Sequence, residues 1–529
     1  MALALVWFAH LAANGLYLAR DGQETRLFDS TYHLEFVYQV VAGIEHGGLT
    51  GLRQELPSSV EWPPLTHLVL GLLASTVDAA LPAVRLYNLL FLGLLLVGVY
   101  GCGRRLAHVA AYPARTARAV GLLAAALCSL LPAIYGGARQ VGLDFPAAAM
   151  VALALSAVLT TDGFARRGPS LAAGLLLGLA ILTRGQSLFF VAGVGLWQLL
   201  RRHPHRRRTR WLHAGLAAAI ALAVSAPWWL GQWRSILAML QVHADPARLP
   251  LEGDASLWGG VTLYLGRLYQ LTGAPLGLLM LGGYVLAARN VRARRPLALL
   301  GLAWFAVPLV VHLLLAVRNL RYLLPLAPVL PLVASVGLLG LRRPRLRRIA
   351  VACTLIVAVG SWLACSLRRG PSCLAGCGGV ELNRPLGVDP LRTQALALSR
   401  QVSRLARLTP HVGRDILLLL RHGRDRRVDY PLASVALYLR AWLPRVMVYH
   451  NRRPIPPWQR VAMDHAALRL VLLAPGTPRP ADATRRIAAI RVPLGTAVGP
   501  APPDSGTCRL ELWPLRPGSR WRPPPEGAE

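Results

Sequence analysis

The residues best suited to chemistry lie in a polar loop that follows the first apolar segment of the chain. This loop, residues 20–62, holds Asp29 near its start and Glu61 near its end, in a chain with only 24 acidic residues among 529. Carboxylates near a bilayer are costly to place, so they are functional candidates by default. Asp29 could take a proton from an attacking hydroxyl as a general base, or it could cap the helix predicted to follow it.

Glu61 directly precedes Trp62-Pro63-Pro64. Proline fits the first turn of a helix, so this pattern predicts a helix start on a stiff backbone that holds Glu61 at the membrane boundary. Two nearby histidines, His33 and His67, could bind the acceptor, or could hold a divalent metal ion together with Glu61, although the spacing is not diagnostic of a metal site. A plain helix start is the alternative interpretation of the same residues.

A second set of candidates lies in short polar turns between apolar segments. Arg139 and Asp144 share one turn, where they could form a structural ion pair or a phosphate ligand with its orienting acid. The other members of the set are Arg184, Arg318, Arg321 and the adjacent Tyr322. Guanidinium groups match phosphate oxygens in a bidentate way, so the arginines predict a lipid-phosphate site. Anchoring to lipid headgroups is the alternative.

The elements that must position these residues are membrane helices. The chain is 54% hydrophobic with a mean hydropathy of +0.44. Apolar runs long enough to cross about 30 Å of hydrocarbon recur as far as residue 366, which predicts an all-α polytopic membrane protein with about 11 to 13 transmembrane helices. The opening apolar segment lacks the pattern of a cleaved signal peptide and is interpreted as a first span. The segment 64–78 is predicted to be short or re-entrant.

The charge distribution indicates how the chain is threaded. The net charge is +34, and all 58 basic residues are arginine. They concentrate in short loops between apolar runs, at 104–105, 166–167, 201–210, 292–295 and 342–348. This is the positive-inside pattern of cytoplasmic loops, and it argues against a nucleic-acid partner. It predicts an inner (plasma) membrane protein whose loop 20–62 and turns at Asp144, Arg184 and Arg321 face outward.

The chain is predicted to have two domains, a transmembrane domain at 1–366 and a soluble extracytoplasmic α/β domain at 367–529. Strands are predicted near 416–420 and 467–474, with a helix at 430–442 between them. Among the seven cysteines, three in apolar runs are interpreted as buried packing residues: Cys102, Cys128 and Cys353. The other four lie on the outer side and could form one or two disulfides of unknown pairing: Cys365, Cys373, Cys377 and Cys508.

The order of the outer motifs resembles that of the GT-C glycosyltransferase superfamily. The motifs are an acid in the first loop, Glu61-Trp-Pro-Pro-Leu, Arg139 to Asp144-Phe-Pro, Leu182-Thr-Arg-Gly and Arg321-Tyr-Leu-Leu-Pro. The chain is most similar to bacterial relatives of protein O-mannosyltransferases, the dolichyl-phosphate-mannose-protein mannosyltransferase family, and of lipid A aminoarabinose transferases. The resemblance covers roughly residues 1–345.

The resemblance implies a sugar donor linked to polyprenyl phosphate, an acceptor bound from the outer side, and transfer with inversion at the anomeric carbon. The acceptor could be a protein, a lipid or a polysaccharide. Asp29 would be the general base or orient the acceptor, with Glu61 and Asp144 as the other acids. Arg321, with Arg318 or Arg139, would hold the donor phosphate. The implied function is that of an integral-membrane glycosyltransferase.

The sequence departs from the family pattern at two positions. Ser30 follows Asp29 where relatives often have a second acid, and Trp62 follows Glu61 where they often have lysine. A non-catalytic assembly subunit is therefore an alternative, and so is a transporter or flippase for a lipid-linked glycan. The chain shows no inverted repeat or paired broken helices of the kind typical of transporters, which favours the enzyme.

Overall fold

We describe the fold from a computed structural model of the chain. The structure describes residues 1–21, 28–55, 62–200, 207–234, 236–237, 257–267, 269–289, 291–314 and 320–367, together with five strands beyond residue 415. Several predictions lie outside the described residues: the positions of Glu61 and Arg318, the helix at 430–442, and the pairing of the four outer cysteines.

The described part of the membrane region is helical. Its α-helices are α1 (Ala2–Asp21), α2 (Phe28–Glu55), α3 (Leu65–Thr76), α4 (Leu81–Tyr87), α5 (Leu89–Val109), α6 (Ala114–Ser129), α7 (Pro132–Ala138), α8 (Asp144–Thr160), α9 (Arg167–Thr183), α10 (Ser187–Leu200), α11 (Arg207–Gly231), α12 (Leu257–Arg267), α13 (Tyr269–Thr272), α14 (Ala274–Arg289), α15 (Val291–Leu314), α16 (Val329–Leu339) and α17 (Pro344–Leu367). A 3₁₀-helix, Leu320–Leu326, lies between α15 and α16.

Four described segments are long and apolar enough to cross a membrane: Ala2–Ala19, Pro82–Val109, Arg207–Gly231 and Pro344–Ala364. Two bent pairs could each form one more span, α6 with α7 at 66° and the 3₁₀-helix with α16 at 42°. Several shorter apolar helices of 10–17 residues complete the set, including the 12-residue α3 in the segment predicted to be short. The polytopic all-α fold is confirmed. The described residues give four spans by length and composition, or up to six with the bent pairs, so the predicted number of 11 to 13 stays a prediction.

Helix α8 is surrounded by other helices of the described bundle. It packs against α5, α9, α10 and the 3₁₀-helix, and most of its side chains are buried. Its first half is rich in alanine, and α5 faces it with glycine. A Cβ built on Gly98 would lie 2.6 Å from the backbone nitrogen of Leu153. Small residues let membrane helices approach through their backbones, which is how α8 is held among its neighbours.

The contact between α9 and α11 gives a test of this packing. A Cβ on Gly174 would lie 2.8 Å from the Cα atom of Ala217 in α11, whereas one on Gly168 in the same helix would meet nothing within 4 Å. We expect Gly174→Val to destabilise the fold by about 1–3 kcal/mol through overpacking. Gly168→Val is the matched control. The midpoint of thermal unfolding in detergent should fall for the first variant alone, and equal midpoints would contradict this packing.

One end of the bundle gathers two of the arginine-rich turns. The buried Arg210 at the start of α11 donates from Nε to the carbonyl of Gly163, at 2.5 Å. Its terminal nitrogen donates to the carbonyls of Gln198 and Leu199, at 3.0 and 2.6 Å. Helices α8 and α9 pack together and are joined by a turn at this end. The first residue of α8 and the last of α9 therefore lie at the opposite end, as the threading predicts.

Contacts divide the chain into two compact units. The first comprises 1–27, 60–66 and 85–386, and the second comprises 28–59, 67–84 and 387–529. These units differ from the predicted domains because two segments before residue 85 group with the end of the chain. The boundary predicted between residues 366 and 367 stays a prediction.

In the second unit, α2 begins at Phe28, so Asp29 lies within its first turn. Whether its side chain caps the helix stays a prediction. Helix α2 changes direction at Gly48, whose φ of 53° suits glycine. The hydroxyl of Tyr38 donates to the carbonyl of Ala79, at 2.8 Å, and so ties α2 to the turn that follows α3.

The second unit also holds a five-stranded sheet of β1 (Ile416–Arg421), β2 (Met447–His450), β3 (Leu468–Leu473), β4 (Ala488–Pro493) and β5 (Thr507–Pro514). The strand order is β2-β1-β3-β5-β4, with β1 parallel to β2 and β3, and β5 antiparallel to β3 and β4. The two predicted strands are β1 and β3, so both predictions are confirmed. The other three strands were not predicted.

The cysteine predictions are partly confirmed. Cys102 and Cys128 are buried, but Cys353 is exposed, so its interpretation as a buried residue is wrong. The buried residues of α17 include Thr354, Ala358 and Trp362, which recur every four residues, and Cys353 lies beside this stripe. In a membrane helix both the packed face and the lipid face are apolar, so hydrophobicity does not distinguish them.

Candidate active site

A cluster of charged side chains lies at the end of α8 opposite to Arg210. Asp144 opens α8, Arg184 directly follows α9, and Arg321 belongs to the 3₁₀-helix. Arg184 forms an ion pair with Oδ1 of Asp144, and Nε of Arg321 lies 3.6 Å from Oδ2 of the same carboxylate. The three side chains are 18–20% exposed, so the cluster is largely enclosed but still open to a ligand. Three residues predicted from separate turns, Asp144, Arg184 and Arg321, are thus brought together.

Local backbone structure explains how Asp144 and Arg184 reach this place. Asp144 stands in the first turn of α8, where the helix N-terminus favours a carboxylate. Arg184 has an extended backbone, with φ −161° and ψ 124°, and ends α9. The carbonyl of Arg184 accepts from the nitrogen of Ser187 at 2.9 Å, which closes the hairpin to α10. A Cβ on Gly185 would collide with the ring of Trp229, so this hairpin fits tightly against α11.

The two guanidinium groups also pack on an aromatic ring. The Cζ atoms of Arg184 and Arg321 lie 4.5 and 5.4 Å from the ring centroid of Tyr322. Nε of Arg184 donates to Oε1 of Gln186, at 3.0 Å. Cation–π contacts and a carboxylate shared between the arginines fix both guanidinium planes before a ligand arrives. Tyr322, a predicted site residue, is therefore also part of the cluster.

His312 of α15 extends the cluster inward. Its ring lies 6.4 Å from that of Tyr322, measured between centroids, and 5.6 Å from that of Phe190. Nδ1 lies 2.7 Å from the carbonyl oxygen of Pro308. A carbonyl oxygen can only accept, so Nδ1 must carry the hydrogen, and the tautomer is fixed when the ring is neutral. This contact holds the imidazole in place behind Tyr322.

The charge of the cluster determines which ligands it favours. Arg184 and Arg321 supply two positive charges, and Asp144 supplies one negative charge. The excess of one positive charge, with planar donors that are largely enclosed, favours a phosphate group. Fixed guanidinium groups can also stabilise negative charge that develops on phosphate oxygens during a reaction.

Arg139 lies in a separate buried set of side chains. Its Nε donates to Oδ1 of Asn14, at 2.7 Å, and its terminal nitrogen donates to the hydroxyl of Ser366. Its Cζ lies 4.2 Å above the ring of Tyr17 and 5.1 Å from that of Tyr135. Arg139 thereby connects α1 with α17, beside the turn that leads to α8. Its predicted role as a phosphate ligand stays a prediction, and these contacts give it a structural role.

His33 and His67 meet in the second unit. Nδ1 of His33 lies 3.1 Å from Nε2 of His67, and both side chains are buried. Within the part of the chain that the structure describes, no group of three or more His, Cys, Asp and Glu residues could hold a metal ion. Asp29 lies one helical turn before His33 in α2.

Two neighbours of the cluster, Gln186 and His312, were not among the predicted site residues. His312 carried a usable signal, because an ionisable residue inside an apolar segment is a functional candidate. Gln186 carried none beyond its place in the same hairpin as Arg184. The contact of Gln186 with Nε of Arg184 depends on the backbone conformation of this hairpin.

Comparison with known proteins shows which family has this architecture. Residues 61–230, which include Asp144 and Arg184, match the family described as Dolichyl-phosphate-mannose-protein mannosyltransferase. The match supports a resemblance to membrane glycosyltransferases of the GT-C type. No curated protein sequence matches the chain significantly.

Solved structures show the same fold as this chain. ArnT from Cupriavidus metallidurans in the apo state is 16% identical with a TM-score of 0.50, and the match covers 96% of each chain. The same protein bound to undecaprenyl phosphate is 15% identical with a TM-score of 0.51, again over 96% of each chain. At this identity the likeness shows the fold alone. The predicted resemblance to GT-C glycosyltransferases is confirmed by the family match and by this shared fold.

Proposed function

We propose that the glycosyltransferase moves a sugar from a polyprenyl-phosphate donor to an acceptor on the outer face of the plasma membrane. The observation that carries the proposal is the pair of guanidinium groups, Arg184 and Arg321, fixed on Tyr322 and Asp144 with one positive charge in excess. A phosphodiester with one negative charge would neutralise that excess. The family match and the ArnT structure with undecaprenyl phosphate support a lipid-linked phosphate as the ligand.

The charge distribution supports the proposed outward orientation. Arg210 and the turn at Gly163 belong to the arginine-rich end of the bundle, which the positive-inside rule assigns to the cytoplasm. The Asp144 cluster lies at the opposite end of α8 and α9. The donor phosphate would therefore be bound at the extracytoplasmic interface, the side of the membrane on which the outer loop 20–62 is predicted to lie.

In the proposed reaction, an acceptor hydroxyl attacks the anomeric carbon of the donor sugar. The new bond forms between the acceptor oxygen and this carbon, while the bond from the carbon to the phosphate oxygen breaks, with inversion. Asp29 takes the hydroxyl proton. The leaving polyprenyl phosphate gains negative charge, which Arg184 and Arg321 stabilise, so no acid is needed to protonate it.

The remaining predicted site residues keep supporting roles in this proposal. Arg318, three positions before Arg321, would add a further cation for the phosphate. Glu61 would be an acid at the membrane boundary, and the buried pair of His33 and His67 is a candidate for contact with the acceptor.

The experiment that tests the proposal compares a deletion strain with its complemented parent by mass spectrometry of surface glycans and glycolipids. We expect the deletion to remove one sugar from an otherwise complete molecule. The purified full chain in proteoliposomes should then transfer that sugar from a polyprenyl-phosphate donor. An accumulated precursor confined to the cytoplasmic leaflet would contradict the proposal and indicate a flippase. Loss of a sugar that the purified chain cannot transfer would indicate an assembly subunit.

A further inference from the structure

The turn between α7 and α8 is held by polar side chains from another helix. This turn, residues 137–143, comprises the last two residues of α7 and the segment that leads to Asp144. The last carbonyls of a helix have no partner within it and need donors from elsewhere. Here the donors come from the start of a candidate span, Pro82–Val109. The hydrogen-bond donors to these carbonyls therefore come from a helical segment that is distant in sequence.

Asn88 supplies most of these donors. Its Nδ2 lies 3.1 Å from the carbonyl oxygen of Gly137, 3.4 Å from that of Ala138 and 2.8 Å from that of Gln140. The side chain is fully buried. Asn88 stands at the N-cap position of α5, yet its side chain makes no cap bond to its own helix. An asparagine at this position usually caps the helix that it precedes, so its amide is committed to the turn instead.

Arg85 completes the arrangement. Its Nε donates to the carbonyl of Arg139, at 3.1 Å, and its side chain is also buried. Together with Asn88 it reaches the carbonyls of all four residues from 137 to 140. A cation near these carbonyls is also favoured by the negative end of the α7 dipole.

Close packing connects this turn to the first residues of α8. A Cβ on Gly137 would lie 3.1 Å from Cβ of Phe145, the residue after Asp144. Displacement of the turn would therefore displace the first turn of α8, and with it the carboxylate that Arg184 and Arg321 share. The buried contacts of Arg139 with α1 and α17 hold the same turn from the other side.

We propose that Asn88 and Arg85 are positioning residues that set the place of the Asp144 carboxylate, and through it the two donor-binding guanidinium groups. The inference rests on the proposed function for its catalytic consequence. In the described part of the chain, both residues donate to backbone carbonyls of 137–140. Both act by fixing the backbone from which Asp144 projects.

A double-mutant cycle tests the inference in the full chain. We expect Asn88→Ala to lower kcat for transfer by about 10- to 100-fold, because small misplacements of catalytic groups are costly. In an Asp144→Asn background the same substitution should change kcat by less than about twofold, since residues acting as a unit are not additive. Asn88→Gln keeps the amide donor and should restore part of the rate. An equal loss in both backgrounds would overturn the inference.

Hydrogen exchange gives a readout that needs no activity. Asn88→Ala should raise amide exchange across residues 137–145 and leave the turn at 161–166 unchanged. Thr161→Ala is the matched control. Its buried hydroxyl donates to the carbonyl of Val158, at 2.7 Å, and accepts from the nitrogen of Phe164, at 3.0 Å, at the other end of α8. Thr161→Ala should raise amide exchange at residues 161–166, leave residues 137–145 unchanged and keep the wild-type kcat.

The failures of the two proposals are distinguishable. If the wild-type chain transfers no sugar from polyprenyl-phosphate donors, the proposed function fails, and the exchange pattern alone decides whether Asn88 holds the turn. If transfer occurs but Asn88→Ala leaves both exchange and kcat unchanged, the positioning role is overturned and the proposed function stands.

Discussion

Replacing Arg184 by alanine is expected to lower kcat/KM for sugar transfer by about 100- to 1,000-fold, the range seen when one preorganised donor to a developing anion is removed. Arg184 pairs with Asp144 and stacks on Tyr322, so its guanidinium is already in place when the donor arrives. Its removal also leaves the carboxylate of Asp144 with less compensation, which disfavours an incoming phosphate. The measurement is the initial rate of transfer in proteoliposomes over a range of donor concentrations.

Two further variants make this test specific. Arg184→Lys keeps the charge but loses the planar fork, so it should recover only part of the lost rate. Arg167→Ala removes an exposed arginine at the other end of α9 and should leave the rate unchanged. If Arg184→Ala transferred sugar as fast as the wild type, the cluster would not be the donor site. An equal loss of transfer rate in Arg167→Ala would show that the loss comes from the lower positive charge of the chain or from impaired membrane insertion, not from the cluster.

Asp29→Asn is expected to lower kcat by about 100- to 10,000-fold, the usual contribution of a general base. The amide keeps the size of the carboxylate and its place in the first turn of α2, but it cannot accept the proton of the acceptor hydroxyl. Expression and membrane insertion should be unchanged. The rate is measured with saturating donor and acceptor, so that a change in binding does not imitate a change in chemistry.

The control for Asp29 is Asp78→Asn. Asp78 is an exposed carboxylate whose Oδ1 accepts from the backbone nitrogen of Ala80, at 2.8 Å, and the asparagine oxygen can replace it there. This variant should keep the wild-type rate. Full transfer by Asp29→Asn would show that another group accepts the proton. If both variants transfer sugar more slowly than the wild type, the loss of any carboxylate in the second unit lowers the rate, and the effect is not specific to Asp29.

Much of the candidate site was predictable because threading restricts a membrane chain strongly. Asp144, Arg184 and Arg321 belong to different turns, and each turn alone had an ordinary explanation. Once the arginine-rich loops are assigned to one side, helix lengths force these three turns to the other. The structure brings the three side chains together, and both guanidinium groups lie near the ring of Tyr322.

The other contacts could not be predicted, because they depend on which way each side chain points, and the neighbouring sequence does not determine that direction. Arg139 stands five positions before Asp144 and looked like its partner, yet it contacts Asn14 and Ser366, which belong to the first and last helices of the bundle. Asn88, which the sequence did not single out, stands at the N-cap position of α5 but donates to carbonyls about 50 positions away. Cys353 looked like a buried residue because the lipid-facing and packed faces of α17 are equally apolar.

The backbone contact between α5 and α8 restricts how this protein can move. Because Gly98 lets the two helices touch almost without side chains, α8 cannot slide or rotate unless a well-packed interface opens. Asp144 therefore stands on a helix that resists displacement. Under the proposed function a long lipid donor must enter and its product must leave, so we expect the motion that admits them to come from segments other than α8. The carboxylate then serves as a fixed reference point for the guanidinium groups of Arg184 and Arg321.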